Sequence, residues 1–283
     1  MLPKINALLC VSSVTAVCLL SSCIPPPKYV DLTQKDKVAV VSFTLDKTIK
    51  AQSDSEPDRG PGLLPKLVKG SKKAENDYFK YHQEALEGMW GQFKENIQEA
   101  LLGIPMVSFD EITSNEKYRT ATAHKEKKIL GTDYAEGHSR LNPEGLNYVN
   151  HYDTAMMNSV CDIVGCDLLL TVDNVANFED VPPPISSGSD GSITITPVAK
   201  SRIILTTTLA LYEKGNGTVF IHDFTAKSDD KMLVIWTNST PEEYPQLMMQ
   251  ANAKIFSEIK TEFLRQKEKY AEQAAAQAAE TAK

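Results

Sequence analysis

The chain has 283 residues, 42% of them hydrophobic, which is enough for one large domain or two small ones and too much for wholesale disorder. Its 37 acidic and 30 basic residues give a formal charge of -7 and a pI near 5.4. No local basic stripe offsets that charge, so nothing electrostatic points to a nucleic-acid partner.

Residues 1–22 carry a single charge, Lys4, ahead of an apolar run (Ala7, Leu8, Leu9, Val11, Val14, Ala16, Val17, Leu19, Leu20) too short for a membrane span and suited to a signal-peptide core. The run closes in Leu20-Ser21-Ser22-Cys23. That sequence resembles the bacterial lipobox, in which an aliphatic residue and two small residues fit the signal peptidase and the cysteine thiol receives diacylglycerol. The competing reading is an ordinary secretory leader with a chance cysteine. On the lipobox reading, Cys23 becomes the lipidated first residue of the mature chain. Two or three acyl chains make a stable anchor where one binds marginally, each buried methylene adding ~0.8 kcal/mol. Ile24 stands where an Asp would signal inner-membrane retention, so outer-membrane sorting is expected.

Residues 23–36 contain Pro25-Pro26-Pro27 and read as an extended tether reaching ~35–40 Å from the lipid. The apolar run at 37–43 is a strand covered on both faces. A polar, Gly- and Pro-rich insertion at 47–73 follows, its Lys66, Lys69, Lys72 and Lys73 forming a solvated face. From 76 to 102, Phe79, Leu86, Met89, Trp90, Phe93, Ile97, Ala100 and Leu101 recur at spacings of three and four, an amphipathic helix stopped by Gly103. Trp90 and Phe93 on that stripe are core rather than a ligand cage. Residues 105–112 look like a second strand, and 113–143 like an irregular insertion around one short helix.

Helical spacing returns over 148–164 through Val149, Tyr152, Met156, Val160 and Ile163, with Gly165 placed to cap it. Residues 168–178 alternate as a strand with one buried face. Residues 182–191 are a loop by composition, and a short alternation at 192–196 leads into a strand at 201–213. Gly215-Asn216-Gly217 turns that strand into another at 218–227, the clearest hairpin in the chain. The last apolar stripe, Met248, Ala251, Ile255, Ile259 and Phe263, marks a helix over 245–269, followed by an Ala/Gln/Glu-rich tail at 270–283 read as a solvated, fraying extension. Thr240, Pro241 and Glu243 look like a capping box, but that start would put Pro245 inside the helix. The expectation is a single α/β domain over 37–269, in two or three layers, with a mixed, partly antiparallel sheet flanked by long helices.

Cys10 and Cys18 leave with the leader, so Cys161 and Cys166 are the remaining free thiols, in a compartment that permits disulfides. Five positions on a continuous helix is ~500° of rotation, which puts them on different faces unless Gly165 ends the helix and turns the chain back. A disulfide and two inert buried thiols both stay open.

No glycine-rich phosphate loop, paired zinc-type cysteines, His-Glu-x-x-His or Gly-x-Ser-x-Gly occurs, which argues against the common hydrolase and nucleotide-using classes. His82, His124, His138, His151 and His222 are dispersed, and no cofactor or metal is expected. His222, between Phe220 and Phe224 on one strand face, reads as a core or rim histidine. Asp173, Glu179, Asp180, Asp223, Asp229 and Asp230 are acids that a sheet end could gather. Ser187-Gly188-Ser189-Asp190-Gly191 reads as a solvated turn rather than a calcium loop. The Asn216-Gly217-Thr218 acceptor pattern serves hairpin geometry rather than glycosylation.

The element order, with Ala155-Met156-Met157 running through Gly165-Cys166-Asp167 into Leu168 and followed by antiparallel strands and a closing helix, resembles the compact α/β domain of the curli-secretion lipoprotein CsgG family. That group includes the lipoprotein activators of peptidoglycan synthases and the N-terminal domain of TolB. The resemblance implies envelope assembly, secretion or enzyme activation through protein contacts, without an active site. The expected function is a membrane-anchored, non-enzymatic envelope lipoprotein. Its expected partners are the membrane, through the lipid on Cys23, and other envelope proteins, with homo-oligomerisation open. One alternative is a subunit of an oligomeric outer-membrane secretion channel. Against it, residues 192–198 are short and interrupted by Pro197, whereas a membrane strand needs ~9–11 residues. A second is a small-ligand or hydrolytic site built from His222, Asp223 and neighbouring acids.

Overall fold

Seven of the eight residues of β1 (Ala39–Asp46) are buried, so this strand demands cover on both faces. The computed structural model, which describes Leu32 and residues 35–47, 50–52, 72–123, 126–129, 132–135, 140–181, 185–187, 193–195, 200–233 and 242–281, shows how the cover is supplied. β1 runs parallel to β6 (Leu168–Val181), with β2 (Lys50–Gln52) continuing the parallel pairing along β6. β6 pairs antiparallel with β9 (Lys200–Glu213) from Leu168↔Glu213 to Val181↔Lys200 without a slip. A tight turn leads into β10 (Gly217–Lys227), antiparallel to β9. The seven-stranded mixed sheet has the order β10-β9-β6-β1-β5, with β5 (Arg140–Leu141) closing the β1 edge and β11 (Met232–Leu233) also pairing β9. The protein has an α/β fold.

One face of the sheet carries the two long helices, α1 (Lys72–Ala100) and α5 (Tyr244–Thr281). Trp90 and Phe93 of α1 lie on Phe43 of β1 at ring distances of 5.1 and 5.0 Å, and Phe263 of α5 lies on Phe220 of β10 at 4.9 Å. Both α1 aromatics are core, as their spacing implies. The helices approach closely at Gly88, where a Cβ would stand 2.6 Å from Met249 Sδ. Pro245 falls in the first turn of α5, where its missing N–H has no helical acceptor in any case, and Leu247 N–H donates to Glu243 O at 3.0 Å as a first helical bond. Thr240 of the supposed capping box lies outside the described residues. The helix runs 38 residues, about 57 Å. Its apolar stripe ends at Phe263, and the described residues of the tail continue it, mostly exposed.

The opposite face is covered at one end. α4 (Thr154–Val164) lies over Tyr212, whose hydroxyl donates to Asn158 Oδ1 at 2.9 Å. α2 (Phe109–Thr113) and α3 (Glu116–Thr122) stand beside β1, where Tyr118 Oη donates to Val41 O at 2.5 Å. This double cover is why Leu169 and Thr171 are buried along with Leu168, Leu170 and Val172, and why β6 alternates only from Asp173 onward.

Several expectations change in detail. The strand expected at 105–112 is a single parallel bridge, Val38↔Met106, because α2 begins directly after it at Phe109, with Ser108 O accepting Ile112 N–H at 3.2 Å. The insertion at 113–143 holds a hairpin, β3 (Glu126–Ile129) with β4 (Thr132–Ala135), as well as α3 and β5. The helix expected from 148 starts at Thr154, where the Asp153 side chain accepts Met156 N–H, and Val149 is buried instead by donating its N–H to Ser42 Oγ. The loop at 182–191 contains β7 (Ile185–Ser187), which pairs with β8 (Ile193–Ile195) as a separate ribbon. The last residues given to the tether belong to the fold: Leu32 is buried and Lys35 pairs with Glu213. The leader, Cys23, Ile24, the three consecutive prolines and most of the insertion at 47–73 lie outside the described residues.

Candidate functional site

Strand alternation puts the polar side chains of the sheet's centre on the face away from α1 and α5, in one row across four strands. The register aligns Thr44, Asp173, Thr208 and Asp223. Thr44, fully buried, donates its hydroxyl to Asp173 Oδ1 at 2.5 Å, and Thr208 donates to Asp223 Oδ1 at 2.6 Å. From β5, Arg140 reaches over the row: Nη2 meets Asp173 Oδ2 at 2.8 Å and Nη1 meets Asp46 Oδ2 at 3.1 Å. The three side chains of this clamp are only 15–28% exposed. Burial pushes the Asp173 carboxyl above its ordinary value, the Thr44 hydroxyl and Arg140 guanidinium pull it back, and the Asp46 and Asp223 charges add to the rise.

Within the clamp, donors and acceptors are matched to one another. Each Asp173 oxygen has a donor and Arg140 spans two carboxylates. Thr44, the hydroxyl nearest a carboxylate base, is sealed from any substrate. The row ties the short edge strand β5 to the middle of the sheet. Among the described residues no group of three or more His, Cys, Asp or Glu is set to hold a metal ion.

Of the acids singled out from the sequence, Asp173 and Asp223 share the row, on either side of Thr208, and the other described ones lie away from it. Asp173 and Glu179 are on the same face but six residues apart, about 20 Å along β6. Glu179 pairs with Lys227 at 2.6 Å, Asp229 with Lys254 at 2.7 Å, and Asp230 accepts Gln250 Nε2 at 2.7 Å. Asp229, Asp230, Lys231, Glu243, Gln246 and Leu247 line a cleft of about 420 Å³. His222 and Asp223, adjacent in sequence, point to opposite faces of β10, so they form no common site. His222 stands between Phe220 and Phe224, with ring distances of 6.2 and 4.6 Å, at the exposed rim of the α5 layer.

No protein-family profile and no curated protein matches the chain. Among solved structures it is similar to one described as a neuraminyllactose-binding hemagglutinin homolog from Helicobacter pylori, at 9% identity over 90% of this chain and 95% of that one, with a TM-score of 0.33. A likeness that distant carries no argument about fold or ligand.

The remaining histidines have structural places or lie outside the described residues, as His124 and His138 do. His82 is fully buried, its Nε2 facing Asp46 O at 2.6 Å and its Nδ1 facing Tyr244 Oη at 2.8 Å, so it fastens α1 to the end of β1 and the start of α5. Burial holds its pKa below 6.5 against the pull of the Asp46 carbonyl and charge. Burial also lowers His151, which packs on exposed Tyr152 at 4.1 Å.

Gly165 ends α4 in the left-handed conformation, φ 62° and ψ 39°, and the chain turns back so that Cys166 N–H donates to Cys161 O at 3.2 Å. Both cysteines are buried free thiols. Cys166 Sγ donates to Leu168 O at 3.1 Å, and burial pushes the Cys161 thiol up to about 11, leaving little thiolate at neutral pH.

Arg140 and Thr44 are the functional-looking side chains that sequence reasoning missed. Arg140 sits in a polar stretch without periodicity, and the one available signal was an Arg next to a leucine in an otherwise weakly patterned segment.

Proposed function

We propose that this chain is a lipid-anchored envelope lipoprotein that acts through contacts with other proteins and performs no reaction of its own. The observation that carries the reading is the apolar leader closing in Leu20-Ser21-Ser22-Cys23. The closed Asp46–Arg140–Asp173 clamp is consistent with it, since its polar groups are satisfied by one another and serve the sheet.

Burial of Leu32 shortens the expected tether. Leu32 stands nine positions after Cys23, and a fully extended chain of that length reaches only about 30 Å, so the folded body stays close to the lipid surface.

The test is Cys23→Ser. The unsubstituted chain, expressed in a Gram-negative host, incorporates an alkyne-tagged fatty acid and fractionates with membranes. The variant takes up no label and is released folded, because no helix among the described residues is long and apolar enough to span a bilayer. Label in the variant equal to that in the unsubstituted chain would remove the lipoprotein reading. Persistence of an unlabelled variant in high-salt-washed membranes would overturn the single anchor and favour a channel subunit.

A further inference from the structure

Among the described residues the sheet is covered at one edge and open at the other. At the β1 edge, β5 pairs with the end of the strand and Met106 bridges to Val38 before its start. At the other edge lies β10, eleven residues long. Ile221, His222, Asp223, Thr225 and Lys227 are all exposed, and Ile221, 45% exposed, is an apolar side chain left in water there.

The ladder parity says which backbone groups face outward. Ser228 N–H donates to Ile203 O, so residues 228, 226, 224 and 222 turn their amides and carbonyls toward β9. Those of Ile221, Asp223, Thr225 and Lys227 therefore point away from the sheet. Among the described residues one of these groups has a partner: Lys227 O accepts Lys254 Nζ at 2.8 Å. A carbonyl has two lone pairs, so that contact leaves room for a strand bond.

We propose that β10 pairs with β10 of a second copy, antiparallel about a two-fold axis at Thr225, to make one continuous sheet across two chains. The charge pattern selects this register. With Thr225 opposite Thr225, Asp223 of each copy stands opposite Lys227 of the other on the same face, where the Lys227 ammonium, paired with Glu179 in its own chain, has further N–H donors to bridge both carboxylates, giving two symmetric ion pairs beside the backbone bonds. Shifting the axis to Asp223 sets two carboxylates against each other. Shifting it to Phe224 sets Asp223 against Thr225 and Ile221 against Lys227, so the ion pairs are lost. The pairing does not depend on lipidation. It places the two Lys35–Glu213 pairs at opposite ends of the joined sheet.

The experiment is site-specific oxidation of the full chain in detergent solution, with sedimentation in parallel. Thr225→Cys places two thiols across the axis, where opposed Cα atoms are about 5.5 Å apart and a disulfide is allowed. Ile221→Cys places them about 27 Å apart, out of reach. The expected result is a covalent dimer from Thr225→Cys above the background of the unsubstituted chain, and none from Ile221→Cys. Asp223→Lys should weaken self-association at least tenfold, and adding Lys227→Asp should restore it, with unchanged circular dichroism showing that each variant folds. The proposal is overturned if the unsubstituted chain sediments as a monomer at about 100 μM, if positions 221 and 225 cross-link equally, or if Asp223→Lys associates as well as the unsubstituted chain.

Discussion

Removing Arg140 tests whether the clamp across the sheet is structural. Arg140→Ala deletes two charge-assisted contacts, at 2.8 Å to Asp173 and 3.1 Å to Asp46, and leaves both carboxylates in a site where they are mostly shielded from water. Breaking a fully buried ion pair from one side destabilises by about 3–5 kcal/mol, and an exposed pair is worth about 0–1. With side chains 15–28% exposed, and with Thr44 still donating to Asp173, the expected loss is about 2–3 kcal/mol at pH 7. For a domain of this size that lowers the melting temperature by roughly 4–12 °C.

The pH dependence separates this cause from lost packing. The Asp173 carboxyl is already raised above 3.8, and removing the guanidinium takes away one of the influences holding it down. A carboxyl raised in the folded state favours folding in acid and opposes it once the pH exceeds the folded pKa. The loss caused by Arg140→Ala is therefore full at neutral pH and shrinks as Asp173 takes up its proton on acidification. Urea unfolding followed by circular dichroism at several pH values measures this. A loss under about 0.5 kcal/mol at pH 7, or one unchanged by acidification, would refute the clamp.

Two further outcomes follow from single contacts. His82 has a folded pKa below 6.5, so the unfolded chain takes up its proton first; stability falls as the pH drops through about 6.5 and levels off below the folded pKa. His82→Phe should flatten that slope in unfolding titrations between pH 7 and 5, leaving the share of His151, and an unchanged slope would show that His82 does not set it. Gly145 has φ +83°, and a Cβ there would meet Thr113 Cβ at 2.7 Å and Thr113 O at 3.0 Å. Gly145→Ala should destabilise by about 2–4 kcal/mol. Gly103→Ala, at φ +79° in open space, should lose only about 1–2 kcal/mol. Thermal melts that rank the two equally would remove the steric part of the argument.

The amino-acid sequence by itself determined what depends on neighbours along the chain. The stripe from Leu86 to Leu101 and that from Met248 to Phe263 specify helices, because residues three and four apart share a face whatever they later pack on. The apolar run into β1, the alternation from Asp173 to Phe178, the hairpin turn at Gly215 and the left-handed cap at Gly165 are equally local. Tertiary structure alone decided the polar row. Thr44 and Asp173 are 129 positions apart, Asp46 and Arg140 are 94 apart, and each carries only a generic solvated-side-chain signal until the register aligns them. It also decided that Val149 is buried without a helix, its amide donating to Ser42 Oγ, 107 positions away. Local periodicity reports which side of an element is apolar, whereas a site requires knowing which elements meet, and that information lies in the packing of surfaces far apart in sequence.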